Sequence, residues 1–385
     1  MAKKPLIYFV TGEPSGDNLG MSLIRCLKKI SHVRLAGVGG TQMEKAGDFQ
    51  SLFPMTDLTL FGLSEILPHI PKLLWRMHQI KRDIQIKQPD VIVTIDSPGF
   101  NFHLMKKLKK VSIPKIHYTA PTVWAWAPGR AKKIAKLYSH LFTLYPFEPP
   151  YFENEGLPST FVGHPITHQH NVHCLGRHKA REQLSLAEKH FPYICLLPGS
   201  RKSEVHLLLP ILQKTVQELC QYYPKAHFLI PTFKIYQSDI QSVMSQTSAK
   251  YTLYLDDAQK PQVMQSADLA IAASGTVALQ LAQAACPTVT IYKLKPLTGF
   301  FVKLLVQSPY ASMVNILLKK EVVPEFLQEN CTAENIVKAA LDILKYPAIR
   351  DAQLEGFSQA LQMLKNPNGE ASEIAARTII QQMKP

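Results

Sequence analysis

FVTGEPSGDNLG, residues 9–20, ends a strand-like apolar run at Gly12 and opens a helix near Asp17, with Gly16 and Gly20 around the turn. A strand, a glycine turn and a helix in succession form the first unit of an α/β layer structure. Turns of this build usually receive anions at the helix N-terminus, yet this one carries Glu13 and Asp17. No lysine follows Gly16, as a GxxxxGK phosphate loop requires, and the dinucleotide pattern GxGxxG is missing. Carboxylates repel phosphate but accept hydrogen bonds from hydroxyls, so the turn reads as a seat for a neutral polyol. The plainer alternative is helix capping by Ser15 or Asp17. That accounts for one acid but hardly for Glu13 as well.

Outward from this turn the pattern repeats. Apolar runs bounded by Gly and Pro (VRLAGVGG, DVIVTIDSPGFN, PKIHYTAPTVWAW, HLFTLYPF) alternate with helical stretches, which implies a parallel sheet covered on both faces. It then restarts at PYICLLPGSRKSE, residues 192–204, and continues through AHFLIPT, KYTLYLDD, DLAIAASGTVALQ and CPTVTIYK. Two such series predict an α/β chain of GT-B type, with two Rossmann-like domains facing an interdomain cleft. The expected domains are 1–165 and 175–350, and by analogy a last helix within 365–385 packs back on the first. The boundary falls in GHPITHQHNVHCLGRHK, residues 163–179. His164, His168, His170 and His173 there invite a metal reading. A solvated linker is the plainer one, because structural zinc sites usually bring cysteines or an ordered helix face.

The 385 residues suit two or three domains. Lys plus Arg number 43 against 29 Asp plus Glu, a formal charge of +14, which favours an anionic partner: nucleic acid, an acidic membrane surface or a phosphorylated substrate. Nucleic acid ranks last, since there is no zinc-finger spacing or RNP-like strand and the basic residues are spread along the chain. The cysteines, Cys26, Cys174, Cys195, Cys220, Cys286 and Cys331, form no CxxC pair and read as reduced thiols. No apolar run reaches the roughly 18 residues of a spanning helix, and the short apolar start does not read as a signal peptide. A cytoplasmic location is expected. Residues 58–84 differ from their surroundings: Leu63, Ile66, Leu67, Ile70, Leu74 and Met77 recur at helical spacing beside Lys72, Arg76, Lys81 and Arg82. Pro68 and Pro71 are expected to break or kink this helix. It reads as either core-facing or as a basic-rimmed apolar surface for lipid.

Four further motifs bear on chemistry. LLPGSRKSE places Gly199, Ser200 and Arg201 where a strand passes into a helix; backbone N–H groups and a guanidinium there suit a diphosphate. AASGTVALQ offers Ser274, Gly275 and Thr276 in a second such turn. TIDSPGFN sets Asp96 at the carboxyl end of a strand, where open α/β sheets keep their sites. A carboxylate there is placed to deprotonate an attacking hydroxyl, with a turn or N-cap Asp as the alternative. APTVWAWAPGR crowds Trp124 and Trp126 beside Arg130, either at a cleft or in packing at a domain edge.

The ordered set of motifs resembles the lipid-A-disaccharide synthases, inverting GT-B glycosyltransferases. The resemblance rests on GEPSGDNLG, FGLSEIL, IDSPGFN, YTAPTVWAWAPGR, PFE at 146–148, FVGHP, LLPGSR with Glu204, SGTVALQ and NILLKKEVVPEFLQE, and spans about residues 7–330. It implies transfer of 2,3-diacylglucosamine from UDP-2,3-diacylglucosamine to 2,3-diacylglucosamine 1-phosphate (lipid X), giving a β-1,6 disaccharide and UDP. It also implies acylated, anionic substrates and a peripheral enzyme on the inner face of the inner membrane, with no cofactor and no metal. By the same resemblance Asp96 is the base, with Glu13 as the other candidate. Gly199, Ser200, Arg201, Glu204, Ser274, Gly275, Thr276 and Gln280 serve the UDP-sugar. Ser15, Gly16, Asp17, Asn101, Trp126, Arg130 and Asn315 serve the acceptor or cleft. The chain departs from the family where Gln280 replaces a common Glu, at Pro14 in the first loop, and at Ala127–Gly129 after WAW. Two other readings stay open: another GT-B UDP-sugar enzyme, either a MurG-like transferase or a UDP-GlcNAc 2-epimerase, and a non-enzymatic basic binding protein.

Overall fold

Leu6–Thr11 is a run of six buried residues and forms the strand β1. The computed structural model describes residues 4–59, 63–126, 129–168, 176–186, 191–295, 299, 306 and 308–383; the side chains of residues 63–68, Trp126 and His168 fall outside that description. The chain divides into one unit of Met1–His168 with Leu364–Pro385 and a second of Gln169–Met363. His170, His173 and Cys174 lie outside the described residues.

In the first unit β1 is joined by β2 (Arg34–Val38), β3 (Val91–Ile95), β4 (Lys115–Tyr118), β5 (His140–Thr143) and β6 (Ser159–Phe161). The order is β2-β1-β3-β4-β5-β6. All pairings are parallel, as expected of strands buried on both faces. The order reverses between β1 and β3, and Thr11 pairs with Ile95. The register therefore brings Gly12 and Asp96 out side by side at the carboxyl edge, where such sheets open a crevice.

One sheet face is covered by the helix Pro14–Ile30, whose Gly16, Asp17, Gly20, Leu23, Ile24 and Leu27 form a buried stripe at helical spacing. Leu23, Ile24 and Leu27 pack on Ile7, Phe9, Val91 and Val93; each such side chain contributes about 1.5–3 kcal/mol by leaving water. The helix Ala371–Gln382 joins the same core through Ala371, Ala375, Ala376 and Ile379. The Pro14–Ile30 helix starts three residues before the expected Asp17, because proline is well suited to the first helical turn.

The other face carries the helices Leu63–Lys87, Pro98–Lys107 and Arg130–Ala135. Contrary to expectation, the first of these continues through Pro68 and Pro71; both lie beyond the first turn, so each deletes one intrahelical hydrogen bond, a loss that packing of the later residues on the core offsets. Its apolar residues split. Met77, Ile80 and Ile84 are buried, while Ile70, Leu74 and Trp75 are exposed, Trp75 by 53%. Leu63, Ile66 and Leu67 have side chains outside the described residues. Two of the basic rim residues are engaged: Lys72 and Arg76 both reach Asp57, and the Arg76 guanidinium lies 4.3 Å from the Phe53 ring centre.

The second unit holds β7 (Tyr193–Leu197), β8 (His227–Pro231), β9 (Lys250–Tyr254), β10 (Leu269–Ala273), β11 (Thr288–Tyr292) and β12 (Glu325–Leu327). The order is β12-β11-β10-β7-β8-β9, again all parallel. This is the dinucleotide-fold order, with the reversal between β7 and β10. Ala272 pairs with Leu197, so Gly199 and Ser274 emerge together. Among the described residues no helix is long and apolar enough to cross a membrane, and Cys26, Cys195, Cys220, Cys286 and Cys331 are free thiols.

Candidate active site

At the β1/β3 edge two hydroxyls and two carboxylates are crossed. Ser15 Oγ donates to Asp96 Oδ2 at 2.6 Å, and Ser97 Oγ donates to Glu13 Oε1 at 3.1 Å. Each acid is held by a serine from the opposite loop. The backbone is strained here: Asp96 and Ser97 have φ of 55° and 45°, a region L-residues rarely enter. Glu13 sits above the usual carboxylate range, first because burial disfavours its charge and then because Asp96 repels it. Thr59 Oγ1 donates to the Gly12 carbonyl at 2.7 Å and fixes the turn from a third side. Gly16 is buried where a Cβ would overlap Thr11 Oγ1 and approach Asp96 Cβ to 3.3 Å. Only glycine lets the helix lie this close to the two strand ends.

Three residues expected to face a sugar hold the scaffold instead. The Asp17 carboxylate accepts from Gln42 N at 3.1 Å and Met43 N at 3.0 Å. It caps the helix Thr41–Gly47 rather than its own, and its charge suits those N–H groups. Asn101 is fully buried and donates through Nδ2 to the Asp96 carbonyl at 2.7 Å; it supports the strained turn from below. Asn315, also fully buried, accepts from Val322 N and Val323 N and donates to Val323 O and Glu325 Oε1. All four of its polar positions are engaged within the second unit. The cause is common: short polar side chains flanking turns satisfy backbone groups more readily than they wait for ligand.

Trp124 is nearly buried. Its indole N–H donates to Glu148 Oε1 at 3.1 Å, and Glu148 also accepts from Leu144 N and Tyr145 N. Burial pushes the Glu148 carboxyl up to about 7 against the pull of those donors. Arg130 opens the helix Arg130–Ala135. The side chain of Trp126 lies outside the described residues.

At the β7/β10 edge an open pocket with about 750 Å³ of empty space is lined by Gly199, Ser200, Glu204, Ser274, Gly275 and Thr276. Gly199 and Gly275 have φ of 113° and 154°, which glycine permits. Glu204 closes a capping box: it accepts from Ser200 N and Arg201 N, each at 3.3 Å, and from the Arg201 guanidinium at 3.1 Å. The loop N–H groups expected to hold phosphate are thus shared with an internal carboxylate, and Glu204 shapes the loop. Arg201 remains 76% exposed. Gln280 is exposed on the helix Val277–Gln283, outside the pocket lining. The far end of the pocket was missed in the sequence: Thr232 and Phe233 follow β8, and Leu255, Asp256 and Lys260 follow β9. The rule that ligands gather at strand carboxyl ends points to them once AHFLIPT and KYTLYLDD are read as strands. Ser97, also missed, lies beside Asp96 in the same motif.

The two switch points differ in chemistry: carboxylates in one unit and, in the other, a glycine-lined pocket with Lys260 in its wall and Arg201 exposed on the adjoining loop. A family model described as lipid-A-disaccharide synthetase matches residues 7–379. The chain belongs to the lipid-A-disaccharide synthase family. A lipid-A-disaccharide synthase of Rhodospirillum centenum is 40% identical over 383 residues, covering 98% of this chain and 94% of that one. Among solved structures, UDP-GlcNAc 2-epimerase from Neisseria meningitidis bound to UDP-GlcNAc has a TM-score of 0.64 at 13% identity, covering 98% of this chain and all of that one. MurG of Acinetobacter baumannii has a TM-score of 0.57 at 15% identity, with 98% and 100% covered. At such identities the likeness is one of fold, and the fold is GT-B. As a member of the lipid-A-disaccharide synthase family the chain is a hexosyltransferase of lipid A biosynthesis. Family membership over nearly the whole chain decides against the epimerase, MurG-like and non-enzymatic readings.

Proposed function

We propose that the chain transfers the 2,3-diacylglucosaminyl group of UDP-2,3-diacylglucosamine to the 6-hydroxyl of 2,3-diacylglucosamine 1-phosphate, releasing UDP. Asp96 takes the proton from that hydroxyl as its oxygen attacks the anomeric carbon. The bond from that carbon to the UDP oxygen breaks on the opposite side, so the configuration inverts and a β-1,6 link forms. Ser15 aims the Asp96 carboxylate, and Ser97 does the same for Glu13. The pyrophosphate lies on the Ser274–Thr276 turn with Arg201 as its cation, and charge building on UDP in the transition state makes those contacts count most there. The nucleoside extends toward Phe233 and Leu255.

The observation that carries this reading is the pairing of Asp96 with Ser15 at the β1/β3 crevice: a hydrogen-bonded carboxylate at a strand end, suited to taking a proton. The test is incubation with both acylated substrates, following UDP and disaccharide. Turnover of an unacylated UDP-sugar without acceptor, or no UDP release, refutes it.

The acylated substrates call for a peripheral site on the inner face of the inner membrane. Exposed Ile70, Leu74 and Trp75, near Lys81 and Arg82, supply an apolar surface with a basic border. Sedimentation with vesicles containing anionic lipid should carry the protein down, and Leu74→Glu with Trp75→Glu should leave it in the supernatant. Equal binding by wild type and variant removes this surface from the reading.

A further inference from the structure

A chain of hydrogen bonds runs from the pocket to the edge of the second sheet. Ser274 Oγ, on the pocket wall, donates to the Ala311 carbonyl at 3.1 Å. Ala311 N donates in turn to Glu325 Oε2 at 2.7 Å, and Ser312 N to Glu325 Oε1 at 2.8 Å. Asn315 Nδ2 meets the same Oε1 at 2.7 Å. Glu325 lies on the edge strand β12, whose Glu325 pairs with Thr290 of β11. Its carboxylate therefore ties the segment 308–312 to the sheet, and that segment holds the hydroxyl of a pocket residue. Asn315 pins the carboxylate, and its other bonds, to Val322 and Val323, fix the approach to β12. Gln353 reinforces the same end, donating to Val322 O at 3.2 Å and Thr288 O at 3.0 Å.

We propose that Glu325 is a positioning residue for the nucleotide-diphosphate pocket, acting through Ala311 on the Ser274–Thr276 turn. The proposal rests on the reading of that pocket as the UDP site. A purely structural bond would stabilise the fold without favouring any ligand. This one ends on a hydroxyl in the pocket wall, so its loss should loosen the turn before it loosens the sheet.

Glu325→Gln keeps the shape but sets an amide N–H₂ against an N–H donor, whichever way the amide turns. The experiment is titration of wild type and E325Q with UDP, together with steady-state kinetics. E325Q should bind UDP up to roughly tenfold more weakly: a lost hydrogen bond to a charged group sets the ceiling, and only the part of it that orders the turn reaches the ligand. The KM for the UDP-sugar should rise in step while the acceptor KM stays put. Ser274→Ala removes the other end of the chain and should weaken UDP by a similar factor, and the double variant should fall well short of the product of the two. Unchanged UDP affinity in folded E325Q overturns the proposal, as does full multiplicativity. If E325Q does not fold, Glu325→Asp decides, since it keeps the charge but withdraws it from Ala311 N: wild-type UDP affinity in it overturns the proposal. Failure of the wild type itself to bind UDP would instead refute the reading of the pocket.

Discussion

Replacing Asp96 by Asn separates acid–base chemistry from scaffolding. Asn tolerates left-handed backbone about as readily as Asp, so the φ of 55° is preserved. Its amide oxygen can accept the Ser15 bond now made to Oδ2, and the Asn101 bond to residue 96 is to the main chain and survives. What disappears is a proton acceptor. Loss of a positioned base costs roughly 10²–10⁴ in rate, about 3–5 kcal/mol at the usual 1.36 kcal/mol per tenfold. Stability should move the other way. Glu13 is held above its usual range by burial and then by Asp96. An acid whose folded pKa is raised contributes stability that is fully present below its unfolded pKa and lost as pH rises through the folded value. Removing the Asp96 charge lowers that folded value, so less is lost at neutral pH. At pH 7.5, D96N should therefore unfold at the same temperature as wild type or higher, and the difference should vanish in acid as Glu13 takes up its proton in both proteins. Turnover is read from UDP release with both acylated substrates, stability from thermal unfolding across pH, and the second unit from UDP titration, which should not change. Near-normal turnover would remove Asp96 from the base role. A clearly lower unfolding temperature would show that its charge holds the turn together rather than burdening it.

Three other outcomes are expected. Arg201→Ala should raise the UDP-sugar KM by roughly 10- to 100-fold, since a charge-assisted bond contributes about 1.5–3 kcal/mol; its exposed ion pair with Glu204 is weak, so the unfolding temperature should hardly move. Gly16→Ala should cost about 1–3 kcal/mol in denaturant unfolding through overpacking against Thr11, and Thr11→Ala in the same chain should recover part of it. Asp17→Asn should destabilise by about 1–3 kcal/mol, because one of the two N–H groups at residues 42 and 43 loses its acceptor. UDP affinity should be untouched, and a loss there would contradict the capping role.

The sheets were legible because their strands are continuous apolar runs such as LIYFVT and YICLL, ended by Gly or Pro. Periodicity and punctuation are local, and so is the rule that sites gather at carboxyl ends. That was enough to bring Glu13, Asp96, Gly199 and Ser274 forward. The partner of each polar side chain is not local. Asp17 meets residues 42 and 43, and Ser97 meets Glu13 across 84 positions. Nothing in GDNLG says that the next helix begins within reach of the Asp. Nor could the spacing around Asn315 reveal that the chain turns back at Lys319, where φ is 52°, and brings Val322 and Val323 to its oxygen. The prolines of residues 63–87 misled for a related reason. Each deletes one intrahelical hydrogen bond, but the burial of Met77, Ile80 and Ile84 further along the chain holds the helix together, and that packing is not visible from the prolines themselves.

The strain at Asp96 and Ser97 explains why the crossed serines matter. Two successive left-handed residues cost on the order of 1–3 kcal/mol each, with Asp at the lower end. Glycine at either place would relieve this, but glycine at 96 deletes the carboxylate and glycine at 97 deletes the hydroxyl on Glu13. The turn is recovered elsewhere: Asp96 N donates to Tyr118 O at 2.6 Å, and Asn101 holds the Asp96 carbonyl from a fully buried position. Those bonds lie on the core side, so the solvent side of the turn is left to present two acids at once. Asp96 at its side raises Glu13's cost of ionisation, and a serine on each acid holds it in orientation. A sequence selected for stability alone would place Gly at one of these positions. That neither is Gly, although Gly99 follows two residues after Ser97, ties the local strain to the chemistry proposed for the site.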